Sequence, residues 1–330
     1  MSYKPPYTIT SKIVELISKI SENIGQLEVL EFKVSHSRLR KISKIKTITG
    51  TLQIEGNTLT EKQITAILNG KRVLGSVKEV AEAKGAIELY NRLERFDYKN
   101  QDHLLESHKV LMDDVLKNAG AFRHQNVGVG GQNSVVHIAP PKENVPELMM
   151  DLFKWLKKTK EHPLIVSSVF HYEFEFIHPF IDGNGRMGRF WQSLVLFHWK
   201  PFFSYVPIES IVRDRQIEYY NALEQCGQAG ESTLFIEYML DSILEAMNQL
   251  ADSDQVTDQV TDQVKKLINV MGIRWLSSNE IMAKLGLSHK PTFRKNYLNP
   301  ALESGLIEMS NPGSPRSPQQ KYKVKRKSGL

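Results

Sequence analysis

The sequence predicts an all-α protein, mainly helical with one short β-hairpin, that ends in a small winged helix-turn-helix. Through most of residues 10–250, apolar residues recur every three or four positions, which is typical of amphipathic helices. Residues 125–141 instead hold two β-branched runs around a Gly- and Asn-rich turn, which indicates a hairpin. Residues 265–330 differ in charge from the rest of the chain, which marks them as a separate unit.

Composition limits the class of protein. The chain has 330 residues, 41% hydrophobic and 24% charged, so it can bury a sizeable core and is not a disordered tail. Its length suggests two domains, at roughly 150 residues each. The single cysteine, Cys226, excludes an internal disulfide, and the N-terminal MSYKPPYTITSK lacks the apolar run of a signal peptide. We therefore expect a cytoplasmic protein with no membrane partner.

The net charge of +6 is unevenly distributed. Residues 265–330 contain 13 Lys and Arg against 3 Asp and Glu, a balance of +10, whereas residues 1–264 contain 30 against 34, a balance of −4. A basic segment of this kind suits a polyanionic partner such as DNA, and it equally suits a solubilising surface. The charge pattern alone leaves both interpretations open.

Capping and turn residues predict the helix boundaries. Thr60 and Gln63 form a capping box for a helix that Gly70 ends, and Pro163 suits the first turn of another helix. In residues 254–264 the DQVT repeat has a period of four, which indicates a helical linker or a small assembly seam. Longer helices are expected over 77–96, 103–116 and 163–176 and from Asn184 through Leu196.

Residues 265–330 follow the order helix, helix, turn, helix and hairpin, which is the order of a winged helix-turn-helix. The recognition helix would be residues 291–299. This fold reads DNA in some proteins and serves dimerisation or protein docking in others, so we expect either a DNA or a protein partner. The exposed basic side chains would be Arg294 and Lys295 on the helix and Arg316, Lys321 and Lys323 on the wing.

Residues 178–189, HPFIDGNGRMGR, combine the features that a triphosphate site needs. Gly183 and Gly185 let the backbone fold closely around phosphate oxygens at the start of a helix, whose amides point the same way. Arg186 and Arg189 are three apart, so both guanidinium groups can reach one side of that helix and bind phosphates. The segment therefore predicts an anion site.

Two further side chains of this segment suit catalysis. Asp182 offers a hard carboxylate oxygen for Mg²⁺, which prefers one or two carboxylates together with substrate phosphates. His178 belongs to the residue type whose unperturbed pKa suits a general base at neutral pH. A base, a metal carboxylate and a phosphate site in one short loop indicate an enzyme that acts on a triphosphate.

The full segment resembles the Fic family signature HxFx[D/E]GNGRxxR and matches each of its fixed positions. Fic proteins typically transfer AMP from ATP to a hydroxyl of a target protein. The resemblance implies the Fic fold for the helical body and a protein adenylyltransferase activity on a Tyr, Thr or Ser hydroxyl of a target and of the chain itself. The matching positions are His178, Phe180, Asp182, Gly183, Asn184, Gly185, Arg186 and Arg189.

The resemblance also implies roles for these residues. His178 would deprotonate the target hydroxyl, and Asp182 would hold the Mg²⁺ that bridges the α- and β-phosphates. Asn184 and the loop amides would steady the α-phosphate, while Arg186 and Arg189 would hold the β- and γ-phosphates. The ATP site would extend over Asp182, Gly183, Asn184, Gly185, Arg186, Met187, Gly188 and Arg189.

Two other segments look like parts of a Fic protein. The hairpin at Val136, His137 and Ile138 resembles the family's flap, which pairs with the target's backbone as an added strand. Tyr219 and Tyr220 resemble its aromatic pair beside the adenine, although ordinary packing in a helix explains them equally well. The resemblance thus places a target protein on the flap and the adenine beside the two tyrosines.

Residues 51–56, TLQIEG, fit the short [S/T]xxxE[G/N] pattern that Fic proteins use for autoinhibition. Thr51 and Glu55 lie four apart and so share one face of a helix, which Gly56 is suited to end. In family members with an N-terminal inhibitory helix, the glutamate pairs with the second arginine of the motif, here Arg189, and keeps it from the γ-phosphate. A helix end with an exposed glutamate is the alternative interpretation.

Other activities stay open at this point. The competing class is a DNA-binding regulator whose Fic body senses nucleotide, although a sensor needs neither His178 nor Asp182. Within enzymes, the options include transfer of another phosphate-containing group, such as UMP or a phosphate, and removal of AMP with Glu55 positioning a water. A homodimer is open too. For His171 and Glu175, one helical turn apart, a metal site is not expected because no third ligand is evident.

The domain order follows from these features. We expect an N-terminal helical region over residues 1–100 with the inhibitory motif at 51–56, a Fic catalytic core over 101–250, a helical linker over 251–264 and a winged-helix domain over 265–330. The proposed catalytic residues all lie in the core.

Overall fold

The computed structural model describes residues 3–31, 36–130, 135–272, 274–303, 306–314, 317 and 319–324. The chain forms two compact units, Met1–Asn248 and Gln249–Leu330. The described part of the first unit is helical apart from one hairpin, which confirms the mainly helical fold class. No helix among the described residues is both long enough and apolar enough to cross a membrane.

Helices α1 to α10 and the first part of α11 build the first unit, and the residues predicted as a helical linker, 251–264, lie in the part of α11 that belongs to the second unit. In chain order the helices are α1 (Ser11–Glu31), α2 (His36–Ile54), α3 (Glu61–Leu68), α4 (Val77–Asn91), α5 (Gln101–Met112), α6 (Val145–Lys158), α7 (Pro163–Ile177), α8 (Asn184–Trp199), α9 (Ile208–Asp214), α10 (Gln216–Ala229) and α11 (Thr233–Met271). Short 3₁₀ turns lie at Leu93–Arg95, Lys142–Asn144 and Pro201–Tyr205.

Helix α7 is the most deeply buried helix of the site region. Every side chain from Leu164 to Phe174 is buried, and a helix that is covered on all sides must be largely apolar all round. Helices α6 and α8 pack against it. Phe170 of α7 and Trp191 of α8 stack with their ring centroids 6.0 Å apart. The connection between α7 and α8, residues 178–183, is therefore anchored at both ends in the core.

The capping box predicted for the third helix is present. Gln63 donates its backbone N–H to Thr60 Oγ1, and Thr60 donates its own to Gln63 Oε1 at 3.0 Å. Gly70 follows the helix with a φ of +72°, a left-handed conformation that favours glycine. These bonds are local in sequence, so the sequence predicted this helix correctly at both ends.

Two helices end earlier than predicted. The helix expected over 77–96 ends at Asn91, because a 3₁₀ turn follows it and brings Phe96 into the core with 2% of its surface exposed. The helix expected over 103–116 ends at Met112, whose carbonyl accepts the N–H groups of both Val115 and Leu116. In both cases the helix gives way to a turn before the end of the apolar sequence pattern from which the longer helix was predicted.

The predicted hairpin is present as two antiparallel strands, β1 (Gly128–Gly130) and β2 (Val135–Ile138). His137 lies opposite Val129 in the register, and the register shifts after Val129. The side chains of residues 129–138 lie outside the described ones, so Val136, His137 and Ile138 are placed by their backbone alone. Strand β2 runs next to α10, the helix that carries Tyr219 and Tyr220.

Gly50 lets α2 approach α9 closely. A Cβ at this position would lie 2.7 Å from the Glu209 carbonyl group and 2.8 Å from the Ser210 nitrogen, both backbone atoms that cannot rotate away. Helix α2 carries the predicted inhibitory motif at its C-terminal end, so this close approach also positions that motif.

We expect Gly50→Ala to destabilise the protein by up to about 2 kcal/mol. Overpacking costs about 1–3 kcal/mol, and the better helix propensity of alanine offsets about 1 kcal/mol of it. The comparison is Gly25→Ala in α1, where the new Cβ meets nothing within 4 Å and should be neutral or stabilising. Urea unfolding of both variants measures the difference, and equal midpoints would show that the two helices separate without cost.

The second unit has the order of elements that the sequence predicted for a winged helix. Helix α12 (Ser278–Lys284) follows strand β3 (Leu276–Ser277), and the expected recognition helix divides into α13, a π-helical turn and α14. These three pieces are Lys290–Phe293, Arg294–Leu298 and Asn299–Glu303. The sheet has the antiparallel order β3, β5 (Lys321–Val324), β4 (Ile307–Met309). Its core includes Leu267, Ile281, Phe293, Leu298, Ile307 and Tyr322.

The predicted basic side chains of this unit occupy its surface where they are described. Arg294, Lys295 and Lys321 are exposed. The Lys323 ammonium lies over the Trp275 ring, 5.7 Å from its centroid. Arg316 lies outside the described residues. A DNA or protein partner for this unit stays a prediction.

Candidate active site

His178 begins the loop between α7 and α8 in a left-handed conformation, with φ +49° and ψ 60°. No other non-glycine residue among the described ones has a positive φ, and such strain persists only where the surroundings enforce it. Arg123 provides that enforcement, because its Nε donates to the His178 carbonyl at 2.9 Å and its backbone N–H donates to Pro179 at 2.8 Å. The same guanidinium donates to the carbonyls of Gln125 and Pro140, so it ties the base of the hairpin to the loop.

Asn184 closes the loop onto itself. Its Oδ1 accepts the N–H of Phe180 at 2.9 Å, and its Nδ2 donates to the Phe180 carbonyl at 2.8 Å. Gly183 lies between them with a φ of +84°. Because the Asn184 amide is buried and already bonded at both ends, its direct contribution is to the shape of the loop, and it would act on a phosphate through the loop backbone.

His108 of α5 supports the loop from below. Its Nδ1 accepts the N–H of Gly120 at 2.8 Å, so its Nε2 carries the proton and donates to the Asp182 carbonyl at 3.0 Å. Burial lowers the pKa of His108 to about 4, which keeps the ring neutral and this tautomer in place. The ring also stacks on Phe180 with centroids 3.7 Å apart.

Asp182 and Arg186 form one end of a charged chain at the start of α8. Arg186 Nη2 lies 3.0 Å from Asp182 Oδ1, and its Nη1 lies 3.3 Å from Glu82 Oε1 on α4. Asn57 donates to the other oxygen of Glu82 at 3.0 Å. Arg186 is buried, whereas the Asp182 side chain is 39% exposed, so of this pair the carboxylate is the group that a ligand can reach.

Arg189 and the predicted inhibitory segment are in direct contact. Arg189 Nη2 lies 2.6 Å from Glu55 Oε1, and its Nε donates to Thr51 Oγ1 at 3.0 Å. Gly56 follows with a φ of +83°, as expected for the residue that ends α2. A Cβ on Gly185 would lie 2.3 Å from Glu55 Oε1, so glycine there makes room for the glutamate. The pairing that the resemblance implied is therefore present as a contact.

A second carboxyl lies behind the loop. Glu175 of α7 lies 3.8 Å from His171 Nε2 and 3.9 Å from His178 Nδ1. Burial raises the pKa of Glu175, Arg189 lowers it and Glu55 raises it by a smaller amount, and the net pKa is about 8. No cluster of three or more His, Cys, Asp or Glu side chains suited to a metal ion is found within the described parts of the chain.

The remaining predicted residues lie at different depths. Met187 is fully buried and belongs to the core, and Gly188 faces α7. Tyr219 is 1% exposed and its hydroxyl lies 3.1 Å from His171 Nε2, so it packs inside the protein. Tyr220 is 42% exposed beside the inhibitory segment, with its hydroxyl 3.4 Å from the Ile54 carbonyl. Of the two tyrosines, only Tyr220 has a ring that is exposed enough for an adenine to stack on it.

Sequence reasoning missed the residues that hold the loop from other helices. Arg123 and Glu82 are charged groups that pack inside, and His108 is a neutral histidine in a helix. Glu82 and His108 are polar residues on the inner faces of α4 and α5, and Arg123 is a buried arginine in the segment before the hairpin. That signal exists in the sequence, yet it does not identify the partner, because the partners lie 55 to 104 residues away.

Two family descriptions match parts of the chain. Residues 98–196 match the Fic/DOC family. Residues 262–325 match the family described as "Filamentation induced by cAMP protein Fic-like, C-terminal domain". The two matches cover the loop described above and the second unit.

Curated relatives and solved structures agree with this. The protein adenylyltransferase Fic of Drosophila melanogaster is 28% identical over 238 residues, which is 69% of this chain and 44% of that protein. The chain thus spans less than half the length of the curated relatives it matches first. Fic-1 from C. elegans, residues 134–508, has a TM-score of 0.59 at 22% identity over 74% of this chain and 72% of its own, which is a likeness of fold.

The crystal structure of a Fic family protein from Desulfovibrio desulfuricans G20 is more similar. It is 48% identical, covers 99% of this chain and 100% of its own, and has a TM-score of 0.76. Identity at this level over both full lengths, together with the complete motif in the strained loop after α7, leaves one conclusion. This chain belongs to the Fic family.

Proposed function

We propose that the protein is an autoinhibited protein adenylyltransferase, which transfers AMP from ATP to a Tyr, Thr or Ser hydroxyl of a target protein and of itself. The observation that carries the proposal is the loop of residues 178–183, which holds His178 in a strained conformation beside the N-terminus of α8. Backbone amides at a helix N-terminus favour phosphate oxygens, so an ATP tail there lies next to a histidine.

The chemistry needs one base and one anion site. The hydroxyl oxygen of the target forms a bond to the α-phosphorus, and the bond from that phosphorus to the bridging oxygen breaks, so pyrophosphate leaves. His178 takes the hydroxyl proton on Nε2, since its Nδ1 side faces Glu175. Arg189 would hold the γ-phosphate once Glu55 has left it, and Tyr220 offers its ring to the adenine.

The residues present also suit Mg²⁺. The Asp182 carboxylate is a hard oxygen donor that is 39% exposed at the phosphate end of the site, and Mg²⁺ prefers such oxygens with few protein ligands. When bound there, Mg²⁺ would neutralise charge that develops on the phosphates.

In the conformation described, the proposed enzyme is in its resting state. A buried guanidinium can bind either the Glu55 carboxylate or a phosphate, and Glu55 occupies it at 2.6 Å. Without Arg189, an ATP tail would lose its γ-phosphate contact and the α-phosphorus would be misplaced for in-line attack. Activation then requires the end of α2 to release Arg189.

Incubation with Mg²⁺ and ATP labelled separately at the α- and γ-phosphates tests the proposal. We expect the α label, and not the γ label, to enter the protein, and to do so more in Glu55→Gly than in the wild type. Entry of the γ label would instead identify a phosphotransferase. A parallel incubation with labelled UTP tests whether the enzyme prefers adenine to uracil in the nucleotide. Loss of the α label from protein that was modified beforehand would reveal removal of AMP. If no label enters either protein, the enzyme proposal fails and a nucleotide sensor becomes the better explanation.

A further inference from the structure

A buried carboxyl that the proposed mechanism does not use lies against the back of His178. Glu175 Oε2 is 3.9 Å from His178 Nδ1, and Glu175 Oε1 is 3.8 Å from His171 Nε2. The Glu175 side chain is only 11% exposed. A buried carboxyl is costly unless a proton or a partner compensates it, so its position between two rings calls for an explanation.

His171 is not the partner that Glu175 needs. Its Nδ1 faces Gln192 Oε1 at 2.7 Å, which assigns the ring proton to Nδ1. Its Nε2 then accepts from the Tyr219 hydroxyl at 3.1 Å. Burial lowers the pKa of His171 to about 3, so the ring stays neutral and has no second proton to donate. Of the two rings, His178 is therefore the one that can donate to the carboxylate.

Gly188 creates the space that Glu175 occupies. A Cβ on Gly188 would lie 2.9 Å from Glu175 Oε1 and 2.8 Å from His171 Cδ2. Position 188 is one of the unspecified positions of the motif, yet in this chain glycine there admits the carboxyl. The start of α8 and the end of α7 are thus fitted to each other around Glu175.

We propose that Glu175 is the positioning residue of His178: its carboxylate accepts a hydrogen bond from Nδ1–H, which turns Nε2 toward the acceptor hydroxyl and stabilises the imidazolium formed during transfer. The inference rests on the adenylyltransferase function proposed above. The distance of 3.9 Å between His178 Nδ1 and Glu175 Oε2 is longer than a hydrogen bond. Catalytic hydrogen bonds often shorten only when the substrates are bound.

The inhibitory segment acts on this pair as well. Burial is the main reason that the pKa of Glu175 is raised to about 8; Arg189 lowers this pKa and Glu55 raises it. Below that pH the carboxyl is protonated in the resting state and cannot stabilise an imidazolium. Removing Glu55 removes one raising cause, so the carboxylate should form at lower pH and activity should rise with pH through a midpoint below 8. The charged and titratable groups that interact with Glu175 are His171, His178, Arg189, Glu55, Tyr219 and Tyr220.

The test compares two buried glutamates of α7 in the full-length Glu55→Gly protein. We expect Glu175→Gln to lower kcat for automodification about 10- to 30-fold, with KM for ATP within about twofold, since Glu175 acts through His178 and not on the phosphates. The part of the rise of kcat with pH that comes from ionisation of Glu175 should disappear, whereas the part from deprotonation of His178 itself should remain. The control is Glu173→Gln, whose carboxyl is also buried but accepts from the Tyr3 hydroxyl, a bond that glutamine can keep. It should retain both kcat and the pH profile.

A second measurement does not depend on activity. Nitrogen-15 NMR of the Glu55→Gly protein at pH 9 should show His178, assigned by its loss in His178→Ala, with the proton on Nδ1. A proton on Nε2 overturns the inference, and so does a Glu175→Gln protein with unchanged kcat and pH profile. Equal losses in both glutamine variants would make Glu175 a packing residue and also overturn it. If Glu55→Gly itself transfers no label, the proposed function fails, and the tautomer still decides the role of Glu175.

Discussion

His178→Ala should reduce AMP transfer by about 10²–10⁴-fold, the usual cost of removing a general base. ATP binding should stay within about twofold, because the proposed base acts on the acceptor hydroxyl and the phosphates would be held by the start of α8. The measurement is incorporation of the α label in the Glu55→Gly background, together with the Kd for ATP from calorimetry.

The matched control for this variant is His198→Ala, which removes an exposed histidine of α8 whose Nδ1 bonds only the Leu194 carbonyl within its own helix. It should transfer AMP at the parent rate. Transfer at the parent rate by His178→Ala would remove this residue from the mechanism. Weaker ATP binding in step with the lost activity would mean that the substitution distorts the loop, whose strained backbone it also alters.

Glu55→Gly should raise automodification by about 30- to 150-fold. A hydrogen bond between charged groups contributes about 2–3 kcal/mol, and each 1.4 kcal/mol is tenfold in rate or affinity, so about that factor is recovered when Arg189 is released. Glu55→Gln should gain less, because a neutral amide still fills the space beside Gly185 and can still accept from the guanidinium.

Arg189→Ala and the double variant show whether this gain passes through the arginine. Both should be equally inactive, since in the proposed mechanism the released guanidinium would bind the γ-phosphate. If Glu55→Gly is no more active than the wild type, the contact at the end of α2 is not inhibitory. A double variant that keeps the gain would show that Glu55 acts elsewhere, for instance on Glu175. Gain of transfer with loss of AMP removal would assign Glu55 to the reverse reaction as well.

The loop could be predicted from the sequence because its interactions are local. Asn184 bonds to Phe180 four residues earlier, Arg186 to Asp182 at the same spacing, and Gly183 supplies the left-handed turn between them. Such short-range geometry is dictated by residue types and spacing, so the shape of the loop followed from twelve consecutive residues. The capping box at Thr60 could be predicted for the same reason.

The contact between Glu55 and Arg189 could be predicted only in part. Thr51 and Glu55 share a helix face by spacing alone, whereas their partner, Arg189, lies 134 residues beyond Glu55. Only the family resemblance paired them at the level of sequence. The structure adds the reason that the pair can form, which is the missing side chain at Gly185 and the close approach of α2 to α9 at Gly50.

The sequence by itself determined the helical fold class and the local geometry of the loop of residues 178–183. The tertiary structure decided which polar groups are buried and against what: Arg123 behind the strained histidine, Tyr219 inside the core rather than beside a ligand, and Glu175 between two imidazole rings. The reason is physical. Burial and pairing depend on how α2, α4, α5 and α7 pack around α8, and packing is a sum over distant contacts that no local pattern of residues specifies.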